Sequence, residues 1–180
     1  NWRNYKKSRF VDENSNHMFI RIDENDDIYP RIDLTDIDFS KYSGIVVSDY
    51  NKGYLSKDDL YRISVSHDYT FLDTKKLLGN WCKKFKFIKI NWHEYCKTKD
   101  LIDADILRNL IVTQGSQGCV YRKKLYPVSL VEVKDVSGAG DTFMAAFSYK
   151  YLETKNIDLA IEFANACATK VVQKRGVSTL

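Results

Sequence analysis

The feature that most constrains this chain is a series of short apolar runs, each ending in polar residues or glycine. Ile45-Val46-Val47 runs into Ser48-Asp49-Tyr50, and Thr70-Phe71-Leu72 into Asp73-Thr74-Lys75. Phe87-Ile88-Lys89-Ile90 ends in Asn91, and Leu110-Ile111-Val112 in Thr113-Gln114-Gly115. Runs this short, separated by stretches that accommodate helices, read as buried strands of a mostly parallel sheet. Open α/β sheets bind ligands at the carboxyl ends of their strands, so these polar tails are the first place to look for chemistry. Ser56 with Asp59 three residues later opens a helix in capping-box form. Residues 118–133 read as a meander of strands. Two helices follow, over residues 139–154 and 158–174, the second with a buried stripe that includes Leu159, Phe163, Ala166 and Val171.

The upstream segment has a different texture. Phe10-Val11 and Met18-Phe19-Ile20-Arg21-Ile22 flank a polar stretch, as the two strands of a flap do. The expected organisation is therefore a β-lid over residues 1–23, a connection over 24–43 and an α/β domain over 44–180. The apolar lid residues exceed what a solvated loop needs, so the lid is expected to cover a site or pair with the lid of a second copy.

With 44% hydrophobic and 29% charged residues, the chain can build a core, and disorder is not expected. The net charge of +4 is spread along the sequence apart from Lys83, Lys84, Lys86 and Lys89. A nucleic-acid binder concentrates such charge on one face, so nucleic acid is not an expected partner. No apolar run reaches the roughly 20 residues of a membrane span. The four cysteines form no C-x-x-C pair, and His17, His67 and His93 show no ligand spacing, which argues against a zinc site or a disulfide framework. The expected compartment is the cytoplasm.

The strongest chemical signal is Asp135-Val136-Ser137-Gly138-Ala139-Gly140-Asp141-Thr142-Phe143. Glycines at a helix start let backbone N–H groups converge on an anion. An aspartate directly behind them is placed to take a proton from a substrate hydroxyl, and the combination suits phosphoryl transfer. A plain strand-to-helix turn with a first-turn charge is the competing reading. Neither a P-loop nor a dinucleotide fingerprint is present, since the first pattern is absent and Phe143 stands where a third glycine belongs. Asn91 and Glu94 have the spacing of a helix cap and its third residue, and equally that of a carboxylate–amide pair near a hydrated hard cation.

The nine residues from Asp135 to Phe143 resemble the C-terminal signature of the ribokinase-like (PfkB) carbohydrate kinases. The resemblance implies a three-layer α/β/α sandwich with a mostly parallel sheet and a small β-lid. It implies ATP-dependent phosphoryl transfer to a sugar or sugar phosphate, with magnesium and potassium as candidate cations. Gly138, Ala139 and Gly140 would form the anion hole, and Asp141 would be the base. Asn91-Trp92-His93-Glu94 is similar to the family's N-x-x-E motif near magnesium. Thr113, Gly115 and Gly118 match its T-x-G-x-x-G nucleotide turn, and Asn165 sits in a small-residue helix like the one bordering the adenine. Asp135 and Ser137, with Gly176-Val177-Ser178-Thr179, resemble the residues around a monovalent cation.

Ser48-Asp49-Tyr50-Asn51-Lys52-Gly53 looks like the kinase domain of enzymes acting on heptose 7-phosphate, and makes Asp49 and Lys52 candidate substrate residues. Asp73-Thr74-Lys75 is similar to the same group's D-P-K stretch, with Thr74 in place of proline, and makes Lys75 a candidate nucleotide contact. In this family a glycine-rich, sugar-contacting part precedes the residues seen here. The expectation is that either a separate chain supplies it or this piece is incomplete and inactive alone, and that the lids pair in a homodimer. Another PfkB-type sugar or nucleoside kinase, and a non-catalytic nucleotide-binding or assembly piece, are the alternatives.

Overall fold

The structure is a computed structural model that describes residues 6–13, 17–25 and 30–176. β1 (Lys6–Val11) and β2 (Met18–Glu24) pair antiparallel as a separate hairpin. Phe10, Val11, Met18, Phe19, Ile20 and Ile22 are all exposed on it. The four apolar runs become β3 (Ile45–Asp49), β4 (Thr70–Thr74), β5 (Phe87–Asn91) and β6 (Leu110–Thr113), which pair in that order and parallel. β7 (Cys119–Tyr121) and β8 (Lys124–Tyr126) extend the sheet antiparallel, giving six strands in sequence order.

Strand alternation sends successive side chains to opposite faces, and the core divides accordingly. Phe71, Phe87 and Ile111 point to one face, where they meet α4 (Ala139–Thr154) and α5 (Ile157–Val172). Leu72, Ile88, Ile90, Leu110 and Val112 point to the other. There they meet α1 (Lys57–Ser66), the short turn Asn80–Cys82 and α3 (Ala104–Asn109). α2 (Trp92–Thr98) follows β5 directly. The result is a three-layer α/β/α arrangement. On the α4 face, Phe87 meets Tyr151 edge-on at 4.6 Å and Phe147 at 5.1 Å. Such contacts add about 0.5–1.5 kcal/mol each beyond burial. They anchor α4 against the sheet and so fix where its first turn points.

Two expectations are corrected. The meander over 118–133 is a single hairpin, β7–β8, followed by irregular backbone. Pro127 has no N–H to offer a further ladder, and the residues after it leave the sheet to wall a pocket. The stripe on α5 is also different. Ala160, Ile161, Ala164, Cys167 and Val171 are buried, whereas Leu159, Phe163 and Ala166 are exposed. α5 lies close to α4, and small residues permit that approach while the larger Leu159 and Phe163 face outward. Among the described residues, no helix is long and apolar enough to cross a membrane.

Candidate active site

The carboxyl ends of β3 to β6 and the first turn of α4 enclose a cavity of about 550 Å³. Its walls include Asp49, Tyr50, Asp73, Lys75, Lys89, Asn91, Thr113, Gly115, Gly140 and Asp141. A more apolar pocket of about 200 Å³ adjoins it, lined by Gly118, Val131, Val133, Ala139, Phe143, Asn165, Ala168 and Val172 among others. Thr113, Gly115, Val136 and Gly140 border both, so the two spaces form one groove with a polar end and an apolar end.

Local sequence explains the polar end. Gly138 takes the left-handed conformation, φ 80°, at the start of α4, and no side chain caps that turn. The leading N–H groups of a helix have no intrahelical acceptor, so an uncapped start next to a cavity offers donors and a favourable dipole to an anion. Asp141 is exposed there, and the Tyr50 hydroxyl donates to both of its carboxylate oxygens at 3.0 Å. Burial, then the hydrogen bond and charge of Asp141, push the Tyr50 phenol up to about 12, so it remains a donor at any physiological pH. Asp135 Oδ1 accepts from the Ser137 N–H at 2.8 Å. That bond, more than any other contact, holds its carboxyl below the usual range. Neither Asp135 nor Ser137 is among the residues lining the two spaces.

Several expected site residues carry structural bonds as well. Asn91 and Glu94 form a complete capping box on α2: Asn91 Oδ1 accepts from Glu94 N at 2.9 Å, and Glu94 Oε2 from Asn91 N at 2.8 Å. The other Glu94 oxygen pairs with Lys75. Glu94 thus stands behind the wall and reaches the cavity through Lys75. Asp49 is buried, and accepts from Thr74 Oγ1 at 2.7 Å, Asn51 N at 3.0 Å and Lys76 Nζ at 2.8 Å. Its carboxylate organises the strand end rather than standing free in the cavity. Lys52 is exposed and outside the cavity lining. Asn165 is buried and donates to the Tyr126 carbonyl at 3.0 Å, which ties α5 to β8 beside the apolar pocket. Val177, Ser178 and Thr179 lie outside the described residues.

Tyr50, Asp73 and Lys89 are among the wall residues for which the sequence motifs imply no role. Asp73 and Lys89 are register partners on β4 and β5, buried and joined at 2.7 Å. Burial raises the Asp73 carboxyl, with Lys89 acting in the opposite direction. A lysine inside an otherwise apolar strand is a legible signal, because such a charge is rarely buried without a partner. In the sequence the neighbouring Lys83, Lys84 and Lys86 mask that signal.

Residues 93–180 match the pfkB family carbohydrate kinase pattern. The chain belongs to the pfkB carbohydrate kinase family. This pfkB-family chain is 31% identical over 203 aligned residues to the bifunctional protein HldE of Nitratiruptor sp., an alignment covering 97% of the chain and 43% of that relative. It spans less than half the length of the curated relatives it matches. Among solved structures, a ribokinase from Thermotoga maritima shares its fold with a TM-score of 0.72 at 19% identity, over 96% of this chain and 64% of that one. A ribokinase from Arabidopsis thaliana, complexed with ribose and ATP, gives 0.60 at 18% identity, over 75% and 51% respectively.

Proposed function

We propose that this chain is the nucleotide-binding and catalytic part of an ATP-dependent kinase that phosphorylates a hydroxyl of a sugar or sugar phosphate, of the heptose 7-phosphate type. The observation that carries the reading is the placement of Asp141 and the uncapped Gly138–Gly140 turn on a polar cavity that opens into an apolar pocket. The apolar pocket, between Gly118, Phe143 and Asn165, suits the flat face of a nucleobase, and the shared wall at Thr113 and Gly115 suits its phosphates. The terminal phosphate would then lie toward Gly140.

In this reading Asp141 accepts the proton of the acceptor hydroxyl as its oxygen bonds to the terminal phosphorus and the bond to the departing ADP breaks. The amides of the Gly138–Gly140 turn, of which Ala139 N–H also donates to the Val136 carbonyl at 3.3 Å, stabilise the charge on the transferring group, the larger part of such catalysis. Tyr50 orients the Asp141 carboxylate. Lys75 lies between Glu94 and the cavity and offers its charge to the phosphates.

The residues also fit a hydrated magnesium ion. Among the described residues Asp73 Oδ1 has no hydrogen-bond partner, buried at the wall, and the Glu94 carboxylate stands behind Lys75. Among the described residues no three His, Cys, Asp or Glu converge to enclose a metal, which suits an ion that keeps its waters and leans on substrate phosphates. Magnesium would supply charge neutralisation on those phosphates, with Asp73, Asn91 and Glu94 holding its waters. For potassium, Asp135 supplies a carboxylate kept charged and Ser137 the adjoining turn. Further parts of the reading are a cytoplasmic location and pairing of the exposed β1–β2 hairpins between two copies, for which the uncovered apolar residues there are the support.

The test is Asp141→Asn in the protein that carries this chain, assayed with ATP and a sugar-phosphate panel including heptose 7-phosphate. Turnover should fall about 10²–10⁴-fold or more, while ATP binding survives. Near-normal turnover in that variant refutes the assignment of the base.

A further inference from the structure

We infer that Lys89 is an anion-binding residue of the cavity, its ammonium completing a phosphate-type oxyanion site with the first turn of α4, and that Asp73 is the positioning residue that aims it. The inference rests on the phosphoryl-transfer reading of the cavity but has consequences of its own.

Lys89 is only 3% exposed, yet its side chain reaches the cavity wall. An ammonium has three N–H donors. Among the described residues its one hydrogen bond goes to Asp73 Oδ2 at 2.7 Å, which leaves donors for a ligand. A Cβ added at Gly140 would stand 2.8 Å from Lys89 Nζ. The ammonium therefore lies directly against the glycine of the uncapped turn, and that glycine is what lets the cation and the helix amides share one space. The partner carboxylate supplies an independent observation. Asp73 Oδ1 is, among the described residues, the one buried side-chain oxygen or nitrogen with no hydrogen-bond partner. A buried oxygen left unpaired is costly. A pair built only for stability would sit in the core with both oxygens satisfied. This one lies at a cavity wall, with a carboxylate oxygen and ammonium donors that no described protein group uses. An oxyanion takes the remaining Lys89 donors together with the turn amides, and a water or hydroxyl of its shell donates to Asp73 Oδ1.

The test is calorimetric titration of the full protein with inorganic tripolyphosphate and, separately, with ATP, both without metal. Four proteins are compared: wild type, Lys89→Met, Asp73→Asn and the double variant Asp73→Asn/Lys89→Met. The double variant removes both charges together, so no unpaired buried charge threatens the fold. Tripolyphosphate binding should weaken about 10- to 100-fold in Lys89→Met and in the double variant, the scale of a lost charge-assisted hydrogen bond. Asp73→Asn alone should weaken it less, and should add nothing to the loss caused by Lys89→Met. That non-additivity marks a residue acting through another, and a merely structural role would not produce it. If wild type binds tripolyphosphate and the double variant binds it equally, Lys89 is not part of the site, while the kinase reading stands on ATP binding. Lys89-dependent tripolyphosphate binding without ATP binding supports the anion site and removes the nucleotide reading. Binding of neither ligand by wild type overturns both.

Discussion

Gly118 ends the turn after β6 with φ 86° and ψ −129°, a conformation that side chains disfavour. A Cβ there would stand 2.0 Å from the Tyr126 carbonyl oxygen and 3.0 Å from its carbon. These are backbone atoms of β8, so no rotamer change relieves the contact. The same carbonyl accepts from Asn165 at 3.0 Å. Gly118→Ala must therefore displace the end of β8 and break that bond, leaving a buried amide unpaired. The positive φ costs about 1–2 kcal/mol, and the unpaired amide about 1–3 kcal/mol. In a chain of this size, where about 1 kcal/mol moves Tm by roughly 2–4 °C, the two together lower Tm by about 4–20 °C. Gly115→Ala is the internal control. Its φ is also positive, 59°, but an added Cβ meets nothing within 4 Å, so only the conformational cost applies. Thermal denaturation followed by circular dichroism compares the two. Gly118→Ala should be clearly the less stable, and should bind ATP more weakly below its transition because Asn165 borders the apolar pocket. Equal Tm values for the two variants would refute the close-contact argument.

Tyr50→Phe should reduce turnover about tenfold, the scale of one hydrogen bond to a charged group, with little change in Tm because Tyr50 is half exposed. Unchanged kinetics would show that the phenol does not orient Asp141 during the reaction. Asp59 caps α1 through Ser56 and pairs with Arg31 at 2.9 Å. The Ser56 hydroxyl first, and Arg31 after it, lower the Asp59 carboxyl to about 2. A depressed carboxyl contributes stability that is fully present above the ordinary carboxylate range and is lost as pH falls through about 2. Asp59→Asn should cost about 1–2 kcal/mol near neutrality, allowing for the exposure of Arg31, and should flatten the decline in stability between about pH 5 and pH 2 in urea titrations. An acid limb unchanged by the substitution would remove Asp59 from that account.

What the sequence determined by itself is what lies within one short stretch of backbone. The apolar runs and their polar tails marked β3 to β6 and the side of the sheet that carries the cavity, because strand burial and strand ends are local patterns. Asp135 to Phe143 marked the turn before α4, because glycine conformation and helix start are decided by neighbours in sequence. Asn91 and Glu94 were legible both as a cap and as candidate site residues, since both depend on the same three-residue spacing. The tertiary structure alone decided what depends on register and packing. Asp73 and Lys89 are 16 residues apart and meet because β4 and β5 pair in one register. Tyr50 and Asp141 are 91 apart and meet because aromatic packing sets α4 over the sheet. The exposed Leu159 and Phe163 show the same limit from the other side. An apolar stripe identifies a helix, but which of its faces is buried depends on how closely α4 approaches, and that distance is fixed by side chains elsewhere in the chain.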